Sequence, residues 1–473
     1  MIKRRDAVTA ALFGGGYLGL RAIATGLPAW YLANPRSATA QDLACAISAK
    51  DKLQFLVVAA SSNGDPINCN CPGTYEAASA IHPTDAKVAR VDLKLGSKTY
   101  GAALPWAGTD VSGALAPATL SRINFFHYRT GSVVHGDQAK VMKMMGQTNR
   151  GEMLISVYAK YLASCLGTVQ SDPISVGAGR NASELLSFQG RPAANVSPLN
   201  LKAMLGGSSS GSTRASGASA LKSLRTLRDQ TLDQLNELAK RDSTRMQGQF
   251  LDALASSQRQ VRQLSDTLAS TLSSISADDI KGQALAAAAL ISAKVTPVVS
   301  MHIPFGGDNH SDQNLQAEAD QLVTGVQGVQ ALMDALAKLG LQDQVTFATL
   351  NVFGRNLDGI SKVTSRSGRD HYANHAVAVL VGKNIAPGVT GGVMPGGGGS
   401  SFGSPSTALG AADIDSATGA AQPGGDVPSM QTYGALARTL GVALGIPASS
   451  IAADLTSTAG GKVINSALNG VSG

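Results

Sequence analysis

Aromatic side chains are scarce in this chain, and its charge is nearly balanced. Phe, Trp and Tyr make up 4% of the 473 residues, and 39 basic against 32 acidic residues leave a net charge of +7. Neither a basic patch nor aromatic residues interleaved with basic ones stand out. Nucleic-acid-binding proteins usually show such features, so the composition disfavours a nucleic-acid partner.

Long apolar runs and phosphate-binding loops are also missing. After the first forty residues, no segment approaches the ~20 uninterrupted apolar residues that a membrane-spanning helix needs, and the run 284–291 is too short. We therefore expect no stable transmembrane span in the mature chain. The Gly-rich stretch 388–403 lacks the GxxxxGK(S/T) spacing of a P-loop, so it is not expected to bind phosphate. It is predicted to be a loop, either a surface insertion or a mobile lid.

Cysteine is limited to Cys45, Cys69, Cys71 and Cys165. In an exported chain these residues permit disulfides, but four cysteines allow three pairings and the sequence does not choose among them. The Cys69-x-Cys71 spacing is too short for a comfortable mutual bridge. It also lacks the second cysteine pair of a zinc knuckle.

The N-terminus has the pattern of an export signal. Lys3-Arg4-Arg5 precedes an apolar, Gly-rich stretch at 7–32, and Ala38-Thr39-Ala40 offers a small-x-small cleavage site. The paired arginines predict a twin-arginine signal peptide over 1–40, with the twin-arginine export machinery as a partner and a periplasmic or secreted product. The alternative is a membrane anchor that is never cleaved.

The remaining chain, 41–473, is predicted to form a single α/β domain. Short β-branched runs at 298–303 and 345–350 flank a helical pattern at 315–339, which is typical of β-α-β units and a mainly parallel sheet with helices on both faces. Another buried strand is expected at 51–60. Leucines at helical spacing predict an inserted helical hairpin at 217–275, either core or a partner-binding surface.

Carboxylates and imidazoles follow the predicted strands. Asp65 follows the first strand, and Asp308 and His310 follow Gly306-Gly307 in sequence. Asp370-His371 offers another carboxylate and imidazole about sixty residues later. Ligands of α/β sheets collect where strands end, and this side-chain set suits zinc or a similar divalent ion. Asp65 could instead close a turn before a proline.

Two further histidines, His127 and His135, are more simply explained by packing than by a role in a site. Ser132 could act as a nucleophile with His135 as its base. Nothing in the sequence shows that these two side chains face each other.

The motif order resembles a known family. Asp65, a helical middle, GGDNH at 306–310, FGR at 353–355, GRDH at 368–371 and YGALARTLG at 433–441 are similar to a secreted bacterial family catalogued as domain-of-unknown-function family 1501. That family is usually twin-arginine exported and resembles the sulfatase and alkaline phosphatase superfamily. The resemblance implies an alkaline phosphatase-like fold for 41–473.

The resemblance also implies roles for particular residues. Arg355 is expected near an anionic group as the catalytic residue. Two metal ions, zinc by analogy with the family, would polarise a phosphate or sulfate ester and lower the pKa of the attacking oxygen. The nucleophile stays open among Cys69, Asn68 and Ser132. The metal ligands implied in this way are Asp65, Asp308, His310, Asp370 and His371.

The chain departs from the family pattern at three motifs. Val352 replaces the acid of EFGR, Gly307 replaces the tryptophan of WDTH, and Asn63-Gly64-Asp65-Pro66 stands where the family has GGxDG. Loss of a carboxylate weakens a divalent-metal site. The sequence thus predicts an exported metal-dependent hydrolase of small anionic phosphate or sulfate esters, intact or degenerate. The alternative is a non-catalytic, envelope-associated binding or assembly protein that keeps the fold.

Overall fold

The fold is taken from a computed structural model. The residues that it describes are 53–77, 82–107, 115–137, 154–165, 173–177, 187–188, 191–192, 194–205, short pieces between 230 and 256, 266–357, 367–395, 409–454 and 460–473. The predicted signal peptide at 1–40 and most of the predicted hairpin at 217–275 lie outside these residues.

The described chain contains both strands and α-helices. The strands are β1 (Phe55–Ser61), β2 (Arg90–Leu95), β3 (Lys98–Ala103), β4 (Ile123–Tyr128), β5 (Ile174–Ser175), β6 (Ser187–Phe188), β7 (Arg191–Pro192), β8 (Ala194–Asn195), β9 (Val298–Met301), β10 (Val345–Asn351), β11 (Gly354–Arg355), β12 (His371–Tyr372), β13 (Ala376–Val381), β14 (Gly388–Thr390), β15 (Val393–Pro395) and β16 (Leu409–Ala411). The α-helices are α1 (Ile67–Asn70), α2 (Pro117–Leu120), α3 (Leu154–Cys165), α4 (Pro198–Leu205), α5 (Asp266–Ser273), α6 (Ile280–Ser292), α7 (Gln316–Lys338), α8 (Thr432–Ala443) and α9 (Ala448–Asp454).

The central sheet has the strand order β14-β4-β13-β10-β1-β9-β5-β8. β1 pairs in parallel with both β10 and β9, while β13 runs antiparallel to its two neighbours. The α/β class and the mainly parallel sheet predicted from the sequence are therefore confirmed. Because β1 is central, its FLVVAAS sequence is buried throughout, as expected for a strand covered on both faces.

Alternate residues of β1 enter two separate apolar layers. Phe55 and Val57 pack in a cluster that includes residues of α6 and α7. Leu56 and Val58 pack in a second cluster that includes residues of α3 and α8. Successive side chains of a strand point to opposite faces, so helices cover both sides of the sheet.

The predicted Gly-rich loop at 388–403 is wrong for its first part. Gly388–Thr390 pairs in parallel with β4, and Val393–Pro395 pairs antiparallel with β16. The β-branched residues Val389, Thr390 and Val393 supply strand propensity that the glycine count concealed. Residues 396–403 lie outside the described part of the chain.

Among the described residues, no helix has the length and apolar character needed to cross a membrane. Part of the predicted hairpin is described: residues 233–241 are helical, and α5 lies near the end of the interval. Cys69 and Cys71 are buried and form no disulfide, whereas Cys165 is disulfide-bonded.

Candidate metal centre

Three loops meet at the carboxyl ends of the central strands. β1 leads into residues 61–65 and β9 into residues 302–310, and the parallel pairing of β1 with β9 places these strand ends together. β10 leads to β11, where Arg355 pairs with His371 of β12, so residues 367–371 join the same edge. We call residues 61–65, 302–310 and 367–371 the site loops.

The Asp308 carboxylate lies at the centre of an imidazole cluster. Its Oδ1 is 3.2 Å from His310 Nε2 and 3.5 Å from His371 Nε2, and its Oδ2 is 3.4 Å from His135 Nε2. His310 Nδ1 lies 3.5 Å from Asp370 Oδ1. The structure thus brings together four of the five predicted metal ligands and adds His135.

These separations suit a divalent ion. Ligand bonds of about 2.0–2.2 Å in tetrahedral geometry put ligand atoms roughly 3.3–3.5 Å apart, close to the three distances around Asp308. His135, Asp308 and His371 each offer a ligand atom within 4.8 Å of the other two. The Nε2 atoms of His310 and His371 are 2.7 Å apart, a hydrogen-bond distance, and would separate by roughly half an ångström if both bound one ion.

His371 has the tautomer that a ligand needs. Its Nδ1 lies 2.7 Å from the Val133 carbonyl oxygen, which can only accept, so Nδ1–H donates and Nε2 keeps its lone pair. Burial, and then the positive charge of Arg355, lower the pKa of His371 to about 4. The ring also stacks on Phe353, with centroids 4.2 Å apart. His371 is therefore neutral and oriented at pH 7.

Asp65 lies beside this cluster rather than within it. Its Oδ1 accepts a hydrogen bond from the Gly307 amide at 3.1 Å, and its side chain also hydrogen-bonds to Ser61. Burial raises the pKa of Asp65, while His302 and then Arg355 act in the opposite direction. In this geometry Asp65 fixes the backbone of the second site loop, residues 302–310, through the Gly307 amide.

Arg355 is fully buried under the cluster and donates to all three site loops. Its guanidinium donates to five acceptors: the carbonyl oxygens of Gly64 (2.6 Å), Asn63 (2.6 Å), Gly307 (3.1 Å) and Arg369 (3.3 Å), and Oδ1 of Asp308 (3.0 Å). The anionic group beside Arg355 is therefore the protein's own Asp308. Burial acts to raise the pKa of Asp308, but the hydrogen bond and charge of Arg355 outweigh it and leave the pKa below its ordinary value.

The three candidate nucleophiles are all held by protein groups. The Asn68 amide donates to the Arg355 carbonyl at 2.7 Å and accepts from the Arg355 N–H at 2.9 Å. The buried Cys69 sulfur lies 3.7 Å from the same carbonyl. The Ser132 hydroxyl donates to Asp137 at 2.8 Å, while His135, its suggested base, faces Asp308.

Val352, at the position of the family's acid, is fully buried in the apolar cluster that contains α3 and α8 residues. Position 352 therefore faces the core in this chain. Valine at this position thus replaces the carboxylate of the family pattern with an apolar side chain that packs in the core.

A fully buried histidine pair lies behind Arg355. Asn68 Nδ2 is 3.3 Å from His375 Nδ1, His375 Nε2 is 2.9 Å from His127 Nδ1, and His127 Nε2 is 3.1 Å from the Pro72 carbonyl. An amide NH₂ only donates and a carbonyl only accepts, so both imidazoles are neutral and the donors run from Asn68 to Pro72. Burial lowers the pKa of His127 to about 4 and that of His375 well below its ordinary value.

This pair predicts a loss of stability in mild acid. Unfolding exposes histidines with a pKa near 6.5, so the unfolded chain binds more protons than the native one between about pH 6.5 and about pH 4. Titration of His127 is expected to leave the free energy of unfolding unchanged above about pH 6.5. As the pH falls from about 6.5 towards 4, it is expected to lower the free energy of unfolding by on the order of 3 kcal/mol. Urea unfolding at pH 7, 5.5 and 4.5 measures the free energy of unfolding and so tests the expected loss.

The matched control is His127→Gln, because glutamine can accept from His375 and donate to Pro72 without a titrating ring. We expect this variant to show a shallower pH dependence. Equal stability of the unsubstituted protein at pH 7 and 4.5 would contradict the neutral pair.

A family model matches part of the chain. Residues 175–409 match the family model described as "Protein of unknown function (DUF1501)". No curated protein and no solved structure matches the chain. The matched segment includes Asp308, His310, Arg355, Asp370 and His371 but neither Asp65 nor His135, and it supports assignment to this family.

Proposed function

Taking the DUF1501 family as the premise, we propose that this chain is an exported, metal-dependent hydrolase of phosphate or sulfate esters with an alkaline phosphatase-like fold. The observation that carries the proposal is the Asp308 carboxylate with three imidazole nitrogens 3.2–3.5 Å away. The mainly parallel sheet and the site at its carboxyl edge agree with that fold.

The side chains divide into those that hold the ion and those that support them. Asp308 and His371 would bind it together with His310 or His135. Arg355 fixes the carboxylate of Asp308, and Asp370 faces His310 Nδ1, where a carboxylate commonly accepts the N–H of a metal-binding imidazole. Asp308 and His135 keep 45% and 38% of their side-chain surface exposed, so a small anionic ester could reach the ion. A bound divalent ion would polarise the ester and lower the pKa of the attacking oxygen.

The proposal includes export. The Lys3-Arg4-Arg5 motif and the apolar stretch at 7–32 support the twin-arginine machinery as a partner, cleavage near residue 40, and a periplasmic or secreted location.

A second candidate is a metal-binding protein of the cell envelope that performs no turnover. It is favoured by the contacts that occupy Asn68, Cys69 and Ser132, and by the burial of Val352 in the core. In this case the folded domain and its metal site would serve binding or assembly.

Metal content tests the shared part of both candidates. We expect about one equivalent of zinc or another divalent ion per purified chain by mass spectrometry, at least 10-fold less in Asp308→Ala and His371→Ala, and full content in Asp426→Asn. Asp426 is the matched control because its carboxylate is exposed, pairs with Lys462, and is far in sequence from Asp308 and His371. Wild-type protein that stays metal-free after dialysis against zinc would refute the metal centre.

Turnover separates the two candidates. The loaded protein is assayed on nitrophenyl phosphate and nitrophenyl sulfate, with Asp308→Ala as the background control. Hydrolysis that disappears in this variant supports the enzyme. Stoichiometric metal without hydrolysis of either ester class supports the binding protein.

A further inference from the structure

Glu318, in the first turn of α7, has a completely buried carboxylate that accepts four hydrogen bonds. Two come from Arg369, at 2.8 Å from Nε and 3.0 Å from Nη2. The others come from the side-chain amides of Asn70 at 2.8 Å and Asn309 at 2.7 Å. A carboxylate has about four accepting positions, so its capacity is filled.

Two of the three donors to Glu318 adjoin side chains of the candidate metal centre in sequence, and the third follows the first site loop. Asn309 lies between Asp308 and His310, and Arg369 directly precedes Asp370 and His371. Asn70 ends α1, the helix that follows the first site loop. One carboxylate on a long helix thereby connects the segments that carry the centre.

The backbone strengthens the same connection. The Gly368 amide donates to the His310 carbonyl at 2.9 Å, and the Arg369 amide donates to the Asn309 carbonyl at 3.2 Å. At the start of α7, both oxygens of Asp312 accept from the amides of residues 317 and 318 at 2.8 Å. The second and third site loops are therefore joined to each other and to the helix end that carries Glu318.

Stability alone is a weak explanation for this network. Both partners of the Glu318–Arg369 ion pair have 0% side-chain exposure, and desolvation of two charges offsets much of their attraction. Replacing such a pair by apolar residues of similar volume is often neutral or stabilising. What apolar residues would not supply is a directed connection to Asn309 and Asn70.

We propose that Glu318 is a positioning residue that sets the spacing between Asp308, His310 and His371. This inference rests on the proposed metal centre and assigns no contact between Glu318 and the ion. Its carboxylate acts through Asn309 and Arg369, at the fixed distances given above.

The experiment compares two variants of the full chain with the unsubstituted protein. Glu318→Gln leaves Arg369 buried without its counter-charge, so a lower melting temperature is expected. The double variant Glu318→Leu/Arg369→Met removes both charges and is expected to recover part of that melting temperature, because the buried amides of Asn70 and Asn309 still lose this acceptor. Zinc affinity, measured by chelator competition, is expected to be 10- to 100-fold weaker in both variants, the range for loss of a group that orients metal ligands.

Gln330→Leu is the matched control on the same helix. The Gln330 side chain accepts from the Ala116 amide at 2.8 Å and the Thr119 hydroxyl at 3.0 Å, away from the site loops. We expect a lower melting temperature with unchanged zinc affinity. A folded double variant with wild-type zinc affinity would overturn the positioning role.

A second readout needs no metal. Hydrogen exchange of the backbone amides at positions 368 and 369, corrected for the intrinsic rate of each residue type, is expected to accelerate at least 10-fold in the double variant, while amides of β1 keep their protection. Unchanged protection of these two amides would also overturn the inference. If the unsubstituted protein takes up no zinc, the proposed function fails, and the exchange rates still decide whether Glu318 couples the loops.

Discussion

Substituting methionine for Arg355 is expected to lower the free energy of unfolding by about 4 kcal/mol and to abolish stoichiometric metal binding. Methionine fills much of the volume but leaves four carbonyl oxygens and the Asp308 carboxylate without their shared donor. Each buried acceptor that loses its partner costs about 1–3 kcal/mol unless it finds water. Because the acceptors belong to all three site loops, the damage should concentrate at the candidate metal centre.

Lysine should not restore the site. Its ammonium is a point charge with three donors, whereas the planar guanidinium of Arg355 donates hydrogen bonds to all three site loops at once. We therefore expect Arg355→Lys to keep a folded chain with weakened metal binding. Urea unfolding and metal analysis of both variants test this.

Arg122→Met is the matched control for Arg355→Met. Arg122 also donates to a backbone carbonyl, at 3.0 Å from that of Gln342, and pairs with Asp343 at 2.7 Å, but this pair is partly exposed. Its loss should cost less than about 1 kcal/mol and leave metal binding intact. Similar effects of the two substitutions would contradict a special role for Arg355.

The part of the site that sequence could predict depends on parallel strands. β1 and β9 are adjacent and parallel, so the residues that follow them necessarily meet, and this places Asp65 near the Asp308 loop. His371 joins for a different reason, since β12 pairs antiparallel with β11 just beyond β10. A short apolar run is enough to predict the first arrangement, but it does not predict the pairing of two-residue strands that lie apart in the chain.

His135 shows where local pattern stops being informative. It follows β4, which is separated from β10 by the antiparallel strand β13, so its approach to Asp308 depends on strand order and not on any motif around it. The sequence Ser132 to His135 instead suggested a nucleophile and base. In the folded protein Ser132 binds Asp137 and His135 faces the centre.

Burial of charge is the other feature that sequence concealed. Glu318 lies in the first turn of α7, where a solvated acidic side chain near the positive end of the helix dipole is the usual expectation. Its burial follows from the closeness of Asn70, Asn309 and Arg369, which lie 248, 9 and 51 residues away in sequence. Arg355, placed near an anion by resemblance, binds an anion belonging to the protein.

Gly368→Ala is expected to separate the second and third site loops. A Cβ at position 368 would lie 1.6 Å from the Asn309 carbonyl oxygen and 2.9 Å from the Asp312 amide nitrogen, both of them backbone atoms that cannot turn aside. The loops must then move apart, which breaks the Gly368 bond to the His310 carbonyl. We expect a loss of about 3 kcal/mol in the free energy of unfolding, at the upper end for overpacking, and a zinc affinity at least 10-fold weaker.

Gly136→Ala is the control, because a Cβ there meets nothing within 4 Å although its neighbour His135 belongs to the cluster. Differential scanning calorimetry and chelator competition on the two variants give the comparison. If Gly368→Ala keeps both wild-type stability and wild-type zinc affinity, the close contact between residues 309 and 368 is not what holds Asp308, His310 and His371 at ligand distance. The centre would then have to be set by the remaining contacts of the site loops, those of Arg355, Asp65 and Glu318.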